Sequence, residues 1–373
     1  MKMKKILFLF GTRPEAIKMA PLIACFSNDE HYIVKVAVTA QHREMLDQVL
    51  QFFEVKVDYD LDIMTPNQTL HELTANLVSR ITNEILLKED FDYVFVQGDT
   101  TTVLASALAA FYQKIKIIHI EAGLRSNDML SPFPEEMNRV LTSKLAFLHF
   151  CPTENSKQNL KLENCIDNVF VVGNTVIDAL LIGLEKIRDT SEVAYFKKYA
   201  FLDFNKKLIL VTCHRRENFG KPFEAICDAL LEIADRFKNE VEIIYPVHLN
   251  PNVKEVAYNV LKRNNIKLIA PLEYPELIWM MNKSTIILTD SGGIQEEAPS
   301  LGKPVLVLRE ITERTEGVDA GTAILVGSDK NKIVTETCAL LSDASYYAQI
   351  SKASNPYGDG TSSQAIKTIL SRF

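Results

Sequence analysis

Short, almost purely apolar runs alternate along the chain with longer segments of helical period, and this alternation restricts the possible folds most strongly. The runs are rich in Ile, Val and Phe and occupy residues 5–10, 33–38, 93–97, 116–120, 169–172, 207–213, 241–247, 266–270, 285–289 and 304–308. Continuous hydrophobicity, rather than strict alternation, is typical of strands buried on both faces of a parallel sheet. The pattern therefore predicts an α/β fold with right-handed crossovers and with ligand sites at the carboxyl ends of the strands.

The length of 373 residues predicts more than one domain, because a domain averages roughly 150 residues. The best boundary lies at Gly173-Asn174-Thr175, where a helix over 175–187 and a polar stretch over 188–206 precede a new strand. Each part would then be a doubly wound, Rossmann-like sheet of ordinary domain size. A ligand cleft between two such domains is the default expectation.

Charge and composition exclude several classes of protein. The 41 basic and 48 acidic residues give a net charge of −7 with no basic arm, whereas a nucleic-acid binder needs a basic stripe. No stretch approaches the roughly 18 consecutive apolar residues of a membrane span, and the run 6–10 is too short for a signal peptide. The six cysteines are scattered without a C-x-x-C pair, which is typical of reduced thiols. We expect a soluble, cytoplasmic protein that binds neither membrane nor nucleic acid.

The first strand ends in Gly11-Thr12-Arg13-Pro14. Gly11 permits a turn, Pro14 suits the first helical turn, and a helix N-terminus favours anions. Arg13 occupies the place of the second glycine in the dinucleotide fingerprint G-x-G-x-x-G, so the backbone cannot approach a pyrophosphate there. An anion contact by the Arg13 side chain, together with Lys18, is one interpretation, and an ordinary turn with a solvated arginine is the other.

Three segments of the first half place carboxylates at the ends of strands or the start of a helix. Asp99 follows the strand 93–97, Glu121 follows the strand 116–120, and Glu135 and Glu136 open a helix predicted over 135–148. Helix capping and compensation of the helix dipole are the structural alternatives for Asp99 and for the glutamate pair. Because parallel strands end at one edge of the sheet, we expect Asp99 and Glu121 to face one ligand as acid/base groups.

Two segments of the second half resemble anion sites. His214-Arg215-Arg216 leaves a buried strand, and a loop histidine beside solvated arginines is the alternative. In 290–297 (DSGGIQEE) a strand ends, Ser291, Gly292 and Gly293 expose backbone N–H groups, and a helix begins. That order predicts a phosphate cradle, with Glu296 or Glu297 positioned for ribose hydroxyls, unless it is only a tight turn. Arg314, after the next strand, adds a candidate cation.

The sequence predicts no metal site. Asp58, Asp60 and Asp62 alternate, but the sixth and twelfth positions of an EF-hand loop are here Ile63 and Thr69 instead of Gly and Glu. A solvated strand edge explains the run better. The histidines lack zinc-ligand spacing, and neither G-x-S-x-G nor a P-loop occurs.

Taken together, these segments resemble the bacterial non-hydrolysing UDP-N-acetylglucosamine (UDP-GlcNAc) 2-epimerases. The likeness is carried by 10–21 (FGTRPEAIKMAP), 39–43 (TAQHR), 98–102 (GDTTT), 119–125 (HIEAGLR), 134–139 (PEEMNR), 214–218 (HRREN), 290–299 (DSGGIQEEAP) and 355–360 (NPYGDG). The resemblance implies a glycosyltransferase-B-like fold: an N-terminal domain of 1–173 plus 361–373 with the acid/base carboxylates, and a C-terminal UDP-binding domain of 174–360. It further implies that a homodimer converts UDP-GlcNAc to UDP-N-acetylmannosamine (UDP-ManNAc), a polysaccharide precursor, without metal or nicotinamide.

The resemblance also implies residue roles. The family eliminates UDP from C1 with loss of the C2 proton, forms 2-acetamidoglucal, and adds UDP back with protonation on the other face. Asp99, Glu121 and Glu135 match the acid/base carboxylates, and His214 joins them as a catalytic candidate. The matches to UDP-sugar contacts are Arg13, Lys18, Asp99, Glu121, His214, Ser291, Gly292, Gly293, Glu297 and Arg314, with Leu272 and Leu277 in the segment that usually meets the uracil.

Some members bind a second UDP-GlcNAc as an allosteric activator, near residues that match Gln41, Arg215 and His248. This chain has Glu44 and Asn67 where some of those relatives place Gln and Arg. Leu272 likewise stands where some relatives carry a polar side chain. We therefore treat activation, and a side-chain hydrogen bond to uracil, as hypotheses.

Three other functions stay open at the level of sequence. A hydrolysing 2-epimerase would release free ManNAc and UDP through the same intermediate. A retaining glycosyltransferase would share the fold and the Ser-Gly-Gly segment without needing three carboxylates in the first domain. A non-catalytic UDP-sugar-binding regulator would not need them either, and a substituted UDP-HexNAc could replace UDP-GlcNAc as the substrate.

Overall fold

A computed structural model describes residues 3–40, 43–65 and 67–373 of the chain. The chain forms two compact units, Met1–Ala179 together with Tyr357–Phe373, and Leu180–Pro356. We call them the N-terminal and the C-terminal unit. Each is built on a parallel β-sheet with alternating helices, as the apolar runs predict.

The strands of the N-terminal unit are β1 Lys4–Phe10, β2 Tyr32–Val38, β3 Tyr59–Asp60, β4 Tyr93–Gln97, β5 Lys116–Ile120, β6 Leu148–Cys151 and β7 Val169–Val171, in the order β3-β2-β1-β4-β5-β6-β7. Those of the C-terminal unit are β8 Lys207–Thr212, β9 Val241–Pro246, β10 Ile266–Ile269, β11 Ile286–Thr289, β12 Val305–Val307 and β13 Ala323–Leu325, in the order β10-β9-β8-β11-β12-β13. The strand order reverses next to β1 in one sheet and next to β8 in the other. The loops after β1 and β4, and after β8 and β11, therefore lie at the switch points where α/β sheets bind ligands.

The helices are α1 Arg13–Ser27, α2 Arg43–Phe52, α3 Leu70–Ile81, α4 Thr101–Tyr112, α5 Glu135–Leu145, α6 Glu154–Leu162, α7 Thr175–Thr190, α8 Glu192–Lys198, α9 Lys221–Arg236, α10 Pro251–Val260, α11 Tyr274–Lys283, α12 Gly292–Glu297, α13 Thr315–Asp319, α14 Lys330–Ser342, α15 Ala344–Ser351 and α16 Ser362–Leu370. A π-helix, Thr82–Leu86, extends α3, and a 3₁₀-helix, Ala298–Leu301, extends α12. None of the helices within the described part of the chain has the length and apolarity needed to cross a membrane.

The strands are buried because nearly every residue along them is apolar. In β1 the five residues from Ile6 to Phe10 are fully inaccessible to solvent, as expected for a strand covered on both faces. Phe8 packs against Phe26 of α1 and Phe95 of β4, with ring centroids 6.1 and 4.6 Å away. This packing fixes the end of β1 next to the end of β4.

The structure corrects the predicted elements at a few places. The helix predicted over 135–148 ends at Leu145, because 148–151 are drawn into the sheet as β6 between β5 and β7. The polar stretch 188–206, for which no helix is predicted, contains α8, whose Phe196 packs edge-on against Trp279 at 5.3 Å. The run of alternating acids contains an edge strand as predicted, since β3, Tyr59–Asp60, is the outermost strand of its sheet and pairs with β2.

Candidate functional site

The turn after β1 is held by a buried carboxylate. Glu15 accepts hydrogen bonds from the backbone N–H groups of Gly11 (3.1 Å) and Thr12 (2.7 Å) and from the Thr100 hydroxyl (2.8 Å). Burial raises the pKa of Glu15, and these hydrogen bonds oppose the rise. Because Thr100 caps α4, Glu15 ties the loop after β1 to the loop after β4. Arg13, in the first turn of α1, is partly exposed, and no hydrogen bond or ion pair holds its side chain among the described residues.

The carboxylate of Glu121 lies at the end of β5 within a set of donors. Its backbone has a left-handed φ of +62°, which turns the side chain away from the strand path. The Nζ atom of Lys18 lies 2.6 Å from both carboxylate oxygens. Gln97 Nε2 donates to Oε2, and Asn174 Nδ2 donates to Oε1 at 3.0 Å. The side chain is only 6% exposed, so Lys18, Gln97 and Asn174 stabilise a buried negative charge.

Asp99 follows β4 in the adjacent loop. Gly98 precedes it with φ +77°, and the Gly98 carbonyl accepts a hydrogen bond of 2.8 Å from His119 Nε2. The Asp99 carboxylate forms an ion pair with Arg139, and Asn138 Nδ2 donates to the Asp99 carbonyl at 2.9 Å. Burial raises the pKa of Asp99, opposed by the charge of Arg139 and reinforced by the charge of Glu121. The structure therefore brings Asp99 and Glu121 together, as the parallel sheet predicts.

The two glutamates that begin α5 have different environments. Glu136 is buried and accepts from the backbone N–H groups of Ser126 (3.0 Å) and Asn127 (3.0 Å), and Arg139 pairs with it at 3.1 Å. Glu135 is partly exposed, and the described residues provide no hydrogen bond to its carboxylate. Glu136 therefore shapes the preceding loop, whereas the Glu135 side chain is partly exposed at the start of α5.

In the C-terminal unit a buried aspartate organises the loop after β8. Asp290 is fully buried, and its Oδ2 accepts from the backbone N–H groups of His214 and Arg215, both at 2.8 Å, and from Asn218 Nδ2 at 3.0 Å. His214 Nδ1 lies 3.5 Å from Asp290 Oδ1. The ring of His214 stacks on that of His248, with centroids 5.4 Å apart. Partial burial lowers the pKa of His214 and Asp290 opposes that shift, so the neutral imidazole is favoured at neutral pH.

Ser291, Gly292 and Gly293 lead from β11 into α12 as predicted. Ser291 N–H donates to the Thr289 hydroxyl at 2.9 Å. A Cβ atom on Gly292 would lie 3.0 Å from the Arg314 guanidinium carbon, so this glycine lets Arg314 approach the backbone. Arg314 is held by Glu296 at 2.9 Å and by Glu313 at 2.7 Å. The predicted cluster of small residues and a cation therefore forms.

Glu297, the predicted ribose contact, is buried at the end of α12 and accepts from the Tyr274 hydroxyl at 3.3 Å. Tyr274 begins α11, and Leu277 lies on the same helix. Leu272 is partly exposed in the loop between β10 and α11. The segment predicted to meet the base is thus joined to α12 through Tyr274.

The sequence profile of the family described as UDP-N-acetylglucosamine 2-epimerase matches residues 25–371. The chain belongs to this family. A protein of Salmonella typhimurium with the same name is 54% identical over 373 residues, which cover 99% of each chain. Another, from Escherichia coli K12, is 55% identical over 98% of this chain and 97% of its own length.

A solved structure agrees with this assignment. The crystal structure of the UDP-GlcNAc 2-epimerase from Neisseria meningitidis bound to UDP-GlcNAc matches with a TM-score of 0.89 at 50% identity, covering 99% of this chain and 100% of that one. The predicted α/β fold of the glycosyltransferase-B-like class is thereby confirmed.

Of the three residues predicted for an allosteric site, the structure describes Arg215 and His248. Gln41 lies outside the described residues. Arg215 is exposed and adjacent in sequence to His214, and His248 stacks on His214 and accepts a hydrogen bond from the Asn250 N–H at 3.1 Å. Both residues therefore border His214.

The sequence does not predict several residues that hold the candidate site together. They are Glu15, Gln97, Arg139, Asn174 and Asp290. Glu15, Arg139 and Asp290 stand inside the quoted motifs, so a polar residue in a buried segment is an available indication for them. Glu296, one of the two predicted ribose contacts, pairs with Arg314 instead. Asn174 marks only a boundary in the sequence, and nothing local indicates its bond to Glu121.

Two of the three alternating acids are paired with basic side chains. Asp58 accepts from Lys35 Nζ at 2.8 Å, and Asp60 pairs with Arg43 at 2.6 Å. Across the residues that the structure describes, no group of three or more His, Cys, Asp or Glu side chains is arranged to hold a metal ion.

Proposed function

We propose that this chain interconverts UDP-GlcNAc and UDP-ManNAc by inverting the configuration at C2 of the sugar, without net hydrolysis. The observation that carries the proposal is the pair of carboxylates at neighbouring strand ends, Asp99 and Glu121, each paired with a cation. The names of the relatives and the UDP-GlcNAc bound to the N. meningitidis protein support the same substrate. The product would serve as a precursor for cell-surface polysaccharide.

The chemistry requires an elimination because the C2 proton is not adjacent to a carbonyl group. A carboxylate takes the C2 proton, the C–H electron pair forms the C1=C2 double bond, and the C1–O bond breaks with its electrons going to UDP. The intermediate is 2-acetamidoglucal. In the second step a carboxylic acid protonates C2 on the opposite face while a UDP oxygen bonds to C1 again. One base and one acid near C1 and C2 are therefore the minimum requirement.

Asp99, Glu121 and Glu135 are proposed to share these two proton transfers. Lys18, Gln97 and Asn174 stabilise the ionised form of Glu121, which suits a base. Burial raises the pKa of Asp99 above its usual range, which suits a group that both holds and releases a proton during the reaction. Glu135 has no competing hydrogen bond among the described residues, and its place at the start of α5, the helix that carries Arg139, supports a role beside Asp99.

The nucleotide is proposed to contact the loops after β8 and β11. Backbone N–H groups of the Ser291-Gly292-Gly293 segment and the Arg314 guanidinium provide donors for phosphate oxygens, and Glu297 can accept from ribose hydroxyls. Arg13 and His214 are the proposed diphosphate contacts, with Lys18 as a further UDP-sugar contact and with Leu272 and Leu277 bordering the uracil. Retention of UDP by these groups, so that it returns to C1 before water does, is what makes the reaction non-hydrolysing.

Proton NMR of the purified protein with UDP-GlcNAc in D2O tests the proposal. We expect UDP-ManNAc, and UDP-GlcNAc re-formed from it, to carry deuterium at C2 with no acceptor added. Accumulation of free ManNAc and UDP would instead identify a hydrolysing epimerase. A spectrum in which UDP-GlcNAc does not change would contradict both forms of epimerase.

We further propose a homodimer formed through the exposed apolar side chains next to α3 and α4. Leu87 (62% exposed), Phe111 (54%) and Tyr112 (63%) lie at the ends of these adjacent segments. Light scattering after size-exclusion chromatography should give twice the chain mass of 42.1 kDa. A Phe111→Ser/Tyr112→Ser variant should give the monomer mass, and a monomeric wild-type protein would contradict the proposal.

Activation by a second UDP-GlcNAc is proposed to use Arg215 and His248, which border His214. The wild-type rate should then depend sigmoidally on UDP-GlcNAc, and UDP-GlcNAc should stimulate the reverse reaction. Arg215→Ala should remove the sigmoidal dependence. A hyperbolic wild-type curve without stimulation of the reverse reaction would rule activation out.

A further inference from the structure

We propose that Asn174 is a positioning residue for the reaction, holding the Glu121 carboxylate in its ionised form and in one orientation. The inference rests on the proposed role of Glu121 in proton transfer. Asn174 lies 53 residues from Glu121 in the chain, just before α7, yet its Nδ2 donates to Glu121 Oε1 at 3.0 Å.

The orientation of the Asn174 amide is fixed by its other side. Asn174 Oδ1 accepts a hydrogen bond of 3.1 Å from the backbone N–H of Val176. A flipped amide would lose this bond and would place its oxygen against the Glu121 carboxylate, oxygen to oxygen. The amide therefore presents its N–H₂ group to Glu121.

The backbone of Asn174 is fixed as firmly as its side chain. Asn174 N–H donates to the Tyr357 carbonyl at 2.7 Å, and Asn174 is only 3% exposed. Gly173 before it has φ +84°, and a Cβ atom there would lie 2.7 Å from the Ser362 hydroxyl and 3.1 Å from the Tyr357 carbonyl. These contacts leave Asn174 little freedom to turn away from Glu121.

A purely structural explanation also exists, because Asn174 caps the first turn of α7. Asn and Asp are equally favourable N-cap residues, and Ser is about as favourable. The bond to Glu121, in contrast, needs an N–H donor on a side chain of this length. Asn174→Asp and Asn174→Ser therefore preserve the cap and change only what Glu121 meets.

The charged and titratable groups around Glu121 set the sign of the expected effect. Lys18 of α1 pairs with it directly, Asp99 follows β4, and Arg139 of α5 pairs with Asp99. His119 of β5 is neutral at pH 7, because burial lowers its pKa to about 3. An added carboxylate at 174 would oppose ionisation of Glu121 without a new cation to compensate, so Glu121 should bind its proton at higher pH.

The experiment follows the carboxyl carbon of Glu121 by NMR in protein labelled with ¹³C at the glutamate side-chain carboxyls. The Glu121→Gln variant assigns the signal. In Asn174→Asp the titration midpoint of Glu121 should rise by about one pH unit or more, and in Asn174→Ser it should rise by less. The acid limb of the kcat profile should move in the same direction, with kcat at pH 7 falling by up to about tenfold for each unit of that rise in Asn174→Asp and KM changing less than about threefold.

Two controls separate positioning from loss of stability. Asn174→Ser should melt close to the wild type, whereas Asn174→Asp adds a carboxylate to a buried position beside Glu121 and should melt at a lower temperature. Asn265→Asp removes a buried amide that donates to the Ala234 and Val241 carbonyls of the C-terminal unit, so it should lower the melting temperature and leave the Glu121 titration unchanged.

The proposal is wrong if, in Asn174→Asp, both the titration midpoint of Glu121 and the acid limb of the kcat profile are the same as in the wild type. It is also wrong if both variants lose activity only in proportion to the melting temperature. Should the wild type fail to epimerise UDP-GlcNAc, the proposed function fails, whereas the carbon titration still decides whether Asn174 controls Glu121.

Discussion

The Nζ atom of Lys18 lies 2.6 Å from both carboxylate oxygens of Glu121, although 103 residues separate them in the chain. Lys18 belongs to α1, one turn and a half into the helix, and Glu121 follows β5. Both side chains are largely buried, at 16% and 6% exposure. The cation predicted to bind the UDP-sugar thus also neutralises a carboxylate that is predicted to react with it.

Removing one partner of this pair should cost more stability than removing both charges. Lys18→Met removes the cation that pairs with the buried Glu121 carboxylate, and we expect a loss of about 3 kcal/mol in the free energy of unfolding. The double variant Lys18→Met/Glu121→Gln should recover about 1–2 kcal/mol of that loss. Urea denaturation of the four proteins of this cycle measures the coupling.

An exposed ion pair provides the matched control: it joins Arg80 of α3 to Glu84 of the π-helix that follows. Breaking it should cost about 0.5 kcal/mol or less, because solvent screens an exposed i,i+4 pair. Equal coupling energies in the two cycles would show that burial does not strengthen the Lys18–Glu121 interaction.

Substitutions at Glu135 and Glu136, neighbours in the first turn of α5, should have different effects: the first on catalysis and the second on stability. Glu135→Gln should lower kcat by about 10²- to 10⁴-fold at unchanged melting temperature, since its carboxylate has no structural partner in the described part of the chain. Glu136→Gln should instead cost about 1–3 kcal/mol of stability, because it disrupts the bonds from Ser126 and Asn127 and the Arg139 pair. Deuterium exchange at C2 and thermal melts measure the two effects, and the reverse pattern would exchange the roles.

The apolar runs were sufficient to predict the edge of the sheet at which the carboxylates meet. β4 and β5 are adjacent and parallel, and Gln97 is paired with Ile120 in register. Residues that follow these two positions, Asp99 and Glu121, must therefore come close together. The proximity of Asp99 and Glu121 depends only on two neighbouring strands. The apolar periodicity and the polar residues at the strand ends are therefore sufficient to predict it.

The donors around Glu121 could not be predicted in the same way. Its left-handed φ is a local strain maintained by tertiary contacts, and Asn174 reaches it from a segment that has no periodic relation to β5. The sequence does not predict β6, because the apolar residues of 145–151 (LAFLHFC) follow directly on the helical pattern of α5. The sheet, rather than any local preference, decides that these residues extend.

Stability should fall in acid because of a buried histidine in β6. His149 is 4% exposed, and burial, with Arg125 and Lys144 adding to the effect, lowers its pKa to about 4. In the unfolded chain, His149 binds a proton below about pH 6.5. In the native state, it binds this proton only when the pH falls to about 4. Between these values the free energy of unfolding therefore decreases as the pH falls, by about 2 kcal/mol from pH 7 to pH 5 for this residue alone.

Substitution of His149 checks this sign. His149→Phe should reduce the loss measured between pH 7 and pH 5 by about 2 kcal/mol in urea titrations, while His119 in β5 keeps part of the slope. The same substitution at His71, exposed on α3, should leave the slope unchanged. If the free energy of unfolding of His149→Phe fell between pH 7 and pH 5 by as much as that of the wild type, groups other than His149 would cause the acid sensitivity.

Gly292 should matter for UDP binding through Arg314. A Cβ atom at position 292 would lie 3.0 Å from Cζ and 3.2 Å from Nε of Arg314, and this guanidinium is held by Glu296 and Glu313. Gly292→Ala should therefore displace the guanidinium and weaken UDP binding by about tenfold, or about 1.4 kcal/mol. Arg314→Ala should weaken binding at least as much, and Gly292→Ala added to Arg314→Ala should have little further effect, because both changes remove the same contact. Calorimetric titration with UDP measures the four affinities; fully additive losses would show that Gly292 acts on the ligand independently of Arg314.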